Sequence, residues 1–240
     1  MVNKITLQSF ISKYYLNGLN NQVKWKINNN TLTVYAGEKG RVCKVVLNKF
    51  PFENCELGIF DTNKFSKLLS ITSGDLMLHA EKLKSVYTKL YLQDSNFDLT
   101  YALADPLVLS KVTYYNDPDD YDVELELSKE HIGNLIKAKN ALLDQNLMMI
   151  STTQDMDGSN ICEFIFGDNT GFSNKISYQM RGKVNEAFLS IPFNSDIFKD
   201  ILNSNRDMDS GTLKLSKIGM LKINFTSETD SSEYYIARNE

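Results

Sequence analysis

The sequence contains one motif twice, and this repeat constrains the possible folds more than any other feature. Residues 60–69 (FDTNKFSKLL) and 193–202 (FNSDIFKDIL) both place an aromatic residue before an Asx–hydroxyl–Asx run, followed by a Phe and two aliphatic residues at helical spacing. The copies lie more than half of the 240-residue chain apart, whereas solenoid repeats recur about every 20–50 residues. The repeat therefore predicts two copies of one domain in tandem.

Length and composition agree with two modest domains. A chain of 240 residues with 42% hydrophobic content can fill two small cores, and we predict domains at 1–112 and 121–240 joined by a connector at 113–120. The N-terminus lacks the apolar run of a signal peptide, and no stretch approaches the ~18 apolar residues of a membrane span. These features predict a soluble intracellular protein without a membrane partner.

Hydrophobic periodicity predicts an α+β protein. Apolar stripes at spacings of three and four predict four helices, at about 5–16, 61–71, 128–142 and 194–204. Asp61, Ser128 and Asn194 are the expected N-caps of the last three helices. Most other segments alternate with a period of two, and Gln22–Ile27 and Thr31–Ala36 form an expected hairpin. We predict two similar domains of antiparallel sheet, each with two helices.

Positive charge is concentrated in the predicted helices. Segments 4–16, 61–71, 128–142 and 194–206 carry nine basic and four acidic residues, whereas the whole chain has a net charge of −4. Such lysines often do no more than solvate an exposed helix face; the alternative is a functional basic surface. Those that flank the apolar stripes or lie away from them are Lys13, Lys64, Lys67, Lys137 and Lys199. Lys139 falls near the buried stripe of its helix, from which it must snorkel to reach solvent.

No constellation typical of an enzyme or a metal centre is present in the sequence. His79 and His131 have no acidic or nucleophilic partner at a diagnostic spacing, and the common phosphate-binding and hydrolase motifs are missing. The three cysteines lack CxxC spacing and are expected to be small buried hydrophobes rather than disulfides or metal ligands. Asp155 and Asp157 lack the other ligands of a calcium loop. We predict a non-enzyme with no catalytic residue, metal or cofactor.

Four segments carry a resemblance to a known family. They are LGIFDTNKF at 57–65, YALADP at 101–106, the helix containing Ile132 and Lys137, and the closing strands from Gly211 to Ala237. Together they resemble, over essentially the whole chain, the sliding clamps that encircle DNA during replication. The greatest likeness is to the T-even-type bacteriophage clamps of the proliferating cell nuclear antigen superfamily. The connector departs from that pattern, because it is acidic here instead of proline-rich.

The resemblance implies a DNA polymerase processivity factor. Such a clamp is a homotrimeric ring that surrounds double-stranded DNA without reading its sequence. Its further partners are a DNA polymerase and a clamp loader, and it acts in the cytoplasm of an infected bacterial host. Inward-facing lysines would attract phosphates through mobile counterions and permit sliding. The residues expected to face DNA are Lys13, Lys64, Lys67, Lys137, Lys139, Lys199 and Arg206.

Two further surfaces follow from the resemblance. The strands Ser85–Leu92 and Lys175–Arg181 are expected to pair across the subunit interface, since ring closure protects strand edges. The apolar run Leu107-Val108-Leu109 either finishes a strand or packs on the first domain, or, with Ile236 and Ala237, lines a groove between the domains for a hydrophobic peptide of the polymerase or loader.

An alternative from another functional class is a tandem-domain interaction scaffold or virion structural protein that does not bind DNA. The mass of the native assembly distinguishes the two functions, because a clamp ring predicts a trimer and a scaffold makes no such demand.

Overall fold

The computed structural model describes residues 1–155, 157–167, 174–185 and 190–239, and the chain divides into two compact units. Unit 1 comprises Met1–Glu38, Val42–Tyr114 and Ser227–Ser232, and unit 2 comprises Lys39–Arg41, Tyr115–Thr226 and Glu233–Glu240. Each unit combines antiparallel strands with two α-helices, which confirms the predicted α+β class with two similar domains.

Unit 1 contains two groups of strands and a pair of helices. Its elements are β1 (Val2–Asn3), α1 (Lys4–Tyr15), β2 (Val23–Asn28), β3 (Thr31–Glu38), β4 (Arg41–Leu47), β5 (Cys55–Ile59), α2 (Thr62–Ser70), β6 (Asp75–Leu83), β7 (Val86–Gln93) and β8 (Asp98–Ala102). Neighbouring strands follow the orders β4-β3-β2-β5 and β1-β6-β7-β8. The pairs that β2 forms with β3 and β5, and that β7 forms with β6 and β8, are antiparallel.

The core of unit 1 is built around its single tryptophan. Trp25 on β2 is fully buried, with ring centroids 6.1 Å from Phe10, 6.2 Å from Phe50 and 5.4 Å from Phe65, all in edge-to-face geometry. Its indole N–H donates to the hydroxyl of Tyr14 at 3.3 Å. Because Phe10 and Tyr14 lie on α1 and Phe65 lies on α2, the predicted apolar stripes of both helices meet on this ring.

Unit 2 repeats the same plan. Its elements are β9 (Val123–Ser128), α3 (Lys129–Asn140), β10 (Leu147–Gln154), β11 (Asn160–Gly167), β12 (Lys175–Arg181), β13 (Lys183–Val184), β14 (Ile191–Asn194), α4 (Ser195–Ser204), β15 (Ser210–Ser216), β16 (Met220–Thr226) and β17 (Asp230–Ala237), the first residues of β17 being counted in unit 1. Neighbouring strands follow the orders β13-β9-β15-β16-β17 and β12-β11-β10-β14.

The repeated sequence motif encodes the second helix of each unit. The carboxylate of Asp61 accepts a hydrogen bond from the backbone N–H of Lys64 at 3.0 Å, at the start of α2. The side-chain oxygen of Asn194 accepts from the N–H groups of Asp196 and Ile197 at 3.0 Å each, at the start of α4. Both predicted N-caps are confirmed, because these oxygens satisfy N–H groups that the first turn leaves unpaired.

One predicted subunit contact is wrong. Ser85–Leu92 overlaps β7, which pairs with β6 on one side and β8 on the other. Both of its edges are occupied, so it cannot pair with a strand of another chain. Lys175–Arg181 coincides with β12, which pairs only with β11 in the described part of unit 2. In unit 1 the corresponding edge strand is β8, which pairs only with β7 among the described strands.

Candidate nucleic-acid interface

Helix α2 presents two lysines to solvent. Phe65 and Leu69 are fully buried, so the opposite side of the helix faces outward, and Lys64 and Lys67 on that side are exposed. Neither lysine forms an ion pair within the described residues. This part of the predicted basic surface therefore exists as free positive charge.

Helix α3 presents one further lysine in a similar way. Ser128 caps the helix by accepting a hydrogen bond from the N–H of His131 at 3.2 Å, and Leu135 and Ile136 are buried beneath it. Lys137 follows directly after Ile136, one position around the helix, and is exposed. Lys64, Lys67 and Lys137 thus carry charge on solvent-facing helix sides, and we call these three residues the basic helix set.

Lys13 does not face solvent, so its predicted place on a DNA-facing surface is wrong. Its side chain is 0% exposed and forms an ion pair with the carboxylate of Asp230. Asp230 follows Lys13 by more than two hundred residues and lies in segment 227–232, which belongs to unit 1. A charge buried in an ion pair offers no field to a phosphate in water, because both its solvent access and its net charge are lost.

Lys139 is also buried rather than extended to solvent. Its side chain is 1% exposed, and its ammonium donates to the backbone carbonyls of Leu142, Leu143 and Gln145 at 3.2, 3.3 and 2.6 Å. It lies 3.1 Å from the carboxylate of Asp196. Lys139 therefore caps the C-terminal end of α3, where a positive charge also complements the helix dipole, and the predicted DNA contact is wrong for this residue.

Helix α4 contributes little net positive charge. The ammonium of Lys199 lies 3.6 Å from the carboxylate of Asp196, three residues earlier, and the Lys199 side chain is largely buried. Burial raises the pKa of Asp200 on the same helix. Arg206 lies just beyond the helix and is exposed. Of the basic residues predicted in 194–206, Arg206 is the one with a solvent-exposed charge.

The histidines have packing roles. The Nδ1 atom of His131 lies 2.8 Å from the hydroxyl of Tyr178, and the ring of His79 stacks on Tyr91 with centroids 5.9 Å apart.

Burial raises the pKa of the Cys162 thiol to about 12, so that it stays protonated at neutral pH. Within the described residues there is no group of three or more His, Cys, Asp or Glu side chains that could hold a metal ion. No helix in the same residues is long and apolar enough to span a membrane.

The residues predicted to line a partner groove differ in exposure. Leu107 and Val108, in a short 3₁₀ turn capped by Asp105, are 88% and 75% exposed. Leu109 is only 6% exposed and packs close to Gly58 on β5. A Cβ atom added to Gly58 would lie 3.3 Å from the Cδ1 methyl group of Leu109. In unit 2, Ile236 is buried and Ala237 is half-buried. The apolar run therefore divides: Leu109 packs on unit 1, while Leu107 and Val108 remain available to a partner.

The acidic connector is anchored through one carboxylate, a feature that the sequence pattern did not reveal. Asp117 accepts hydrogen bonds from Lys222 at 2.8 Å, from Tyr121 at 2.8 Å and from Tyr235 at 2.7 Å, all within unit 2. Burial alone would raise the pKa of Asp117, but these donors outweigh it and hold the pKa below its ordinary value. Conversely, burial lowers the pKa of Lys222, and its bonds to acceptors raise it above the ordinary value.

The comparisons with known proteins give a likeness in structure only. No family model and no curated protein matches the sequence. A proliferating cellular nuclear antigen from Entamoeba histolytica has a TM-score of 0.76 at 14% sequence identity, covering 99% of this chain and 96% of that chain. A chain of the PCNA2–PCNA3 complex from Sulfolobus tokodaii has a TM-score of 0.74 at 10% identity, covering 100% of this chain and 98% of that chain. The whole chain therefore has the fold of these proteins.

Proposed function

We propose that this chain is the subunit of a DNA sliding clamp, a ring that encircles duplex DNA and tethers a DNA polymerase for processive synthesis. The observation that carries the proposal is the combination of a clamp-like fold over the whole chain with the basic helix set on solvent-facing helix sides. A clamp needs no catalytic group, only a surface that attracts phosphates without fixing the DNA at one sequence.

The basic helix set supplies a modest attraction. Lys64, Lys67 and Lys137 can each neutralise a phosphate in every subunit, with Arg206 as a further candidate. Because each phosphate contact contributes a slope of about −0.9 to log K against log salt concentration, a few lysines per subunit give binding that salt weakens progressively. Such contacts let a ring slide, since one phosphate replaces another as the duplex moves.

Ring formation is proposed to use two strand edges. At the edges of the four-stranded sheets β1-β6-β7-β8 and β12-β11-β10-β14, β1 has two residues and β14 has four, whereas β8 has five and β12 has seven. We propose that β8 of one subunit pairs with β12 of the next, which is a head-to-tail contact and closes into a ring when the rotation between subunits permits. It also covers two exposed edges that would otherwise favour aggregation.

The finer assignments follow the T-even-type clamps, which the sequence resembles. We propose a homotrimer that works with a clamp loader and a replicative polymerase in the cytoplasm of an infected bacterial host. As the resemblance implies, we propose that Leu107, Val108, Leu109, Ile236 and Ala237 contribute to binding of the partner peptide.

The decisive experiment asks whether the protein is topologically linked to DNA. Protein loaded on a nicked circular plasmid is expected to remain bound in high salt and to be lost when the plasmid is linearised, because a ring slides off a free end. Cross-linking should give a trimer; a stable dimer, or equal retention on circular and linear DNA, would contradict the proposal.

A matched pair of variants tests the surface. K64Q/K67Q/K137Q is expected to weaken loading increasingly as salt rises, while folding is unchanged. K39Q/K49Q/K84Q removes the same charge from exposed positions outside the helices and should load as the unmodified protein does. Equal loading of both variants at every salt concentration would show that the basic helix set does not face DNA.

A further inference from the structure

Unit 1 contains a pocket whose chemistry differs from that of an apolar groove. A cavity of about 310 Å³ lies on the face of β2, β3 and β5 that points away from Trp25, and residues 110–112 form its other side. This volume is at the lower end of the roughly 300–1,000 Å³ usual for ligand pockets. Lys24, Lys26 and Lys111 line it together with Tyr35, Glu56 and Val112.

The lysines share this face because of strand geometry. Val23, Trp25 and Ile27 point into the core, so Lys24 and Lys26 project to the opposite side. In the sheet register, Lys24 lies opposite Tyr35 and Lys26 lies opposite Glu56.

The charges of the pocket do not cancel. Glu56 is the single acidic residue among those lining it, and its carboxylate lies 3.6 Å from the ammonium of Lys26. Lys24 and Lys111 have no ion-pair or hydrogen-bond partner within the described residues. The ammonium of Lys44 adds a further positive charge nearby, 5.8 Å from the centre of the Tyr35 ring. The pocket therefore has an excess of positive charge that no residue of unit 1 neutralises.

One wall of the pocket also offers free backbone groups. Residues 110–113 lie in neither a helix nor a strand, and their backbone forms no hydrogen bond within the described part of the chain. The preceding residue, Leu109, is extended, with φ −81° and ψ 145°. An extended peptide can bond to both the N–H and the C=O groups of such a segment through its main chain, whereas phosphate oxygens would use the N–H groups.

We propose that this pocket binds an extended peptide of a partner protein and selects for acidic side chains in it. Lys24 and Lys111 recognise the carboxylates, and Tyr35 and Val112 contact the apolar part of the same peptide. The inference rests on the proposed tethering of a partner protein, and it adds a charge requirement to the hydrophobic contacts expected at Leu107 and Val108.

Fluorescence anisotropy with synthetic peptides tests the charge requirement. The probe is a short labelled peptide that carries two Asp residues beside Leu and Phe, compared with versions that carry Asn or Lys at the two Asp positions. The Asp peptide is expected to bind roughly tenfold more tightly than the Asn peptide, with the difference shrinking as salt screens the charges.

Variants of the pocket make the test specific. K24Q/K111Q should lose the preference for Asp over Asn, and K24E/K111E should prefer the Lys peptide. K84Q, at an exposed turn of unit 1 away from the pocket, should keep the wild-type preference. Equal binding of the Asp and Asn peptides to the wild type, or loss of the preference in K84Q, would overturn the inference. Displacement of the Asp peptide by equimolar inorganic phosphate or duplex oligonucleotide would also overturn it, because the pocket would then be a general anion site.

The peptide assay is independent of the clamp assays. K24Q/K111Q is expected to form the same ring and to stay on circular DNA as the wild type does. A ring that loads on DNA but shows no Asp preference refutes this inference alone, whereas an Asp preference in a protein that never links to circular DNA refutes the clamp function alone.

Discussion

Substitution of Lys13 tests whether a buried ion pair holds segment 227–232 in unit 1. The side chains of Lys13 and Asp230 are 0% and 8% exposed, and the other carboxylate oxygen of Asp230 accepts from the hydroxyl of Ser227 at 2.6 Å. Lys13→Met keeps most of the lysine's apolar volume but removes the cation. It leaves the carboxylate buried with hydroxyl donors and without its counter-charge.

The size of the effect follows from burial. An exposed ion pair contributes about 0.2–1 kcal/mol, whereas removing one partner of a buried pair costs about 3–5 kcal/mol, because the remaining charge is left uncompensated. We expect Lys13→Met to lower the free energy of unfolding by about 3 kcal/mol. The double variant K13M/D230N removes both charges while the amide oxygen still accepts from Ser227, so its cost should be about 1–2 kcal/mol. The double variant is therefore expected to be more stable than Lys13→Met alone.

Trp25 makes the measurement specific to unit 1, because it is the single tryptophan of the chain and is fully buried there. Urea unfolding followed by its fluorescence should show a lower midpoint for Lys13→Met at an unchanged m-value. Lys67→Met, at an exposed position on α2, is the matched control and should change stability by no more than about 0.5 kcal/mol. A cost below about 1 kcal/mol for Lys13→Met, or a double variant less stable than the single one, would refute the reasoning.

Three other perturbations have definite expected outcomes. Lys139→Met should destabilise unit 2 by about 3 kcal/mol in thermal unfolding followed by circular dichroism, because the carbonyls of Leu142, Leu143 and Gln145 lose a charged donor. Gly58→Ala should cost at least about 2 kcal/mol by Trp fluorescence, since the new Cβ would lie 2.3 Å from a backbone carbonyl oxygen; wild-type stability would show that this contact relaxes freely. Because the pKa of Asp117 is lowered in the folded state, Asp117 stabilises the fold at pH values above its unfolded-state pKa, and this stabilisation is lost as pH falls through the folded-state pKa. The pKa of Lys222 is raised in the folded state, so Lys222 stabilises the fold at pH values below its unfolded-state pKa. That stabilisation is lost as pH rises through the folded-state pKa of Lys222. Asp117→Asn should therefore flatten the acid limb of a plot of stability against pH, and an unchanged acid limb would contradict this account.

Local sequence was sufficient to predict the α+β class, the four helices and the N-caps of the last three. Helical periodicity and capping are determined by residues within one or two turns, so the motif containing Asp61 and its copy containing Asn194 identify the second helix of each unit without any knowledge of the rest of the chain. The exposure of Lys67 and Lys137 follows from the same short-range geometry, because a helix that buries one stripe must turn the opposite side to solvent.

The partners of individual charges were decided by tertiary structure alone. Nothing near Lys13 in the sequence indicates burial; its counter-charge, Asp230, comes from the other end of the chain. Lys139 did fall near an apolar stripe, but the carbonyls that it binds become available only where α3 ends against the following loop. Strand order is equally non-local: period-two patterning predicts β7 but cannot tell that both of its edges are paired. Backbone periodicity is a property of neighbouring residues, whereas the pairing of charges and of strand edges depends on which distant segments the fold brings together.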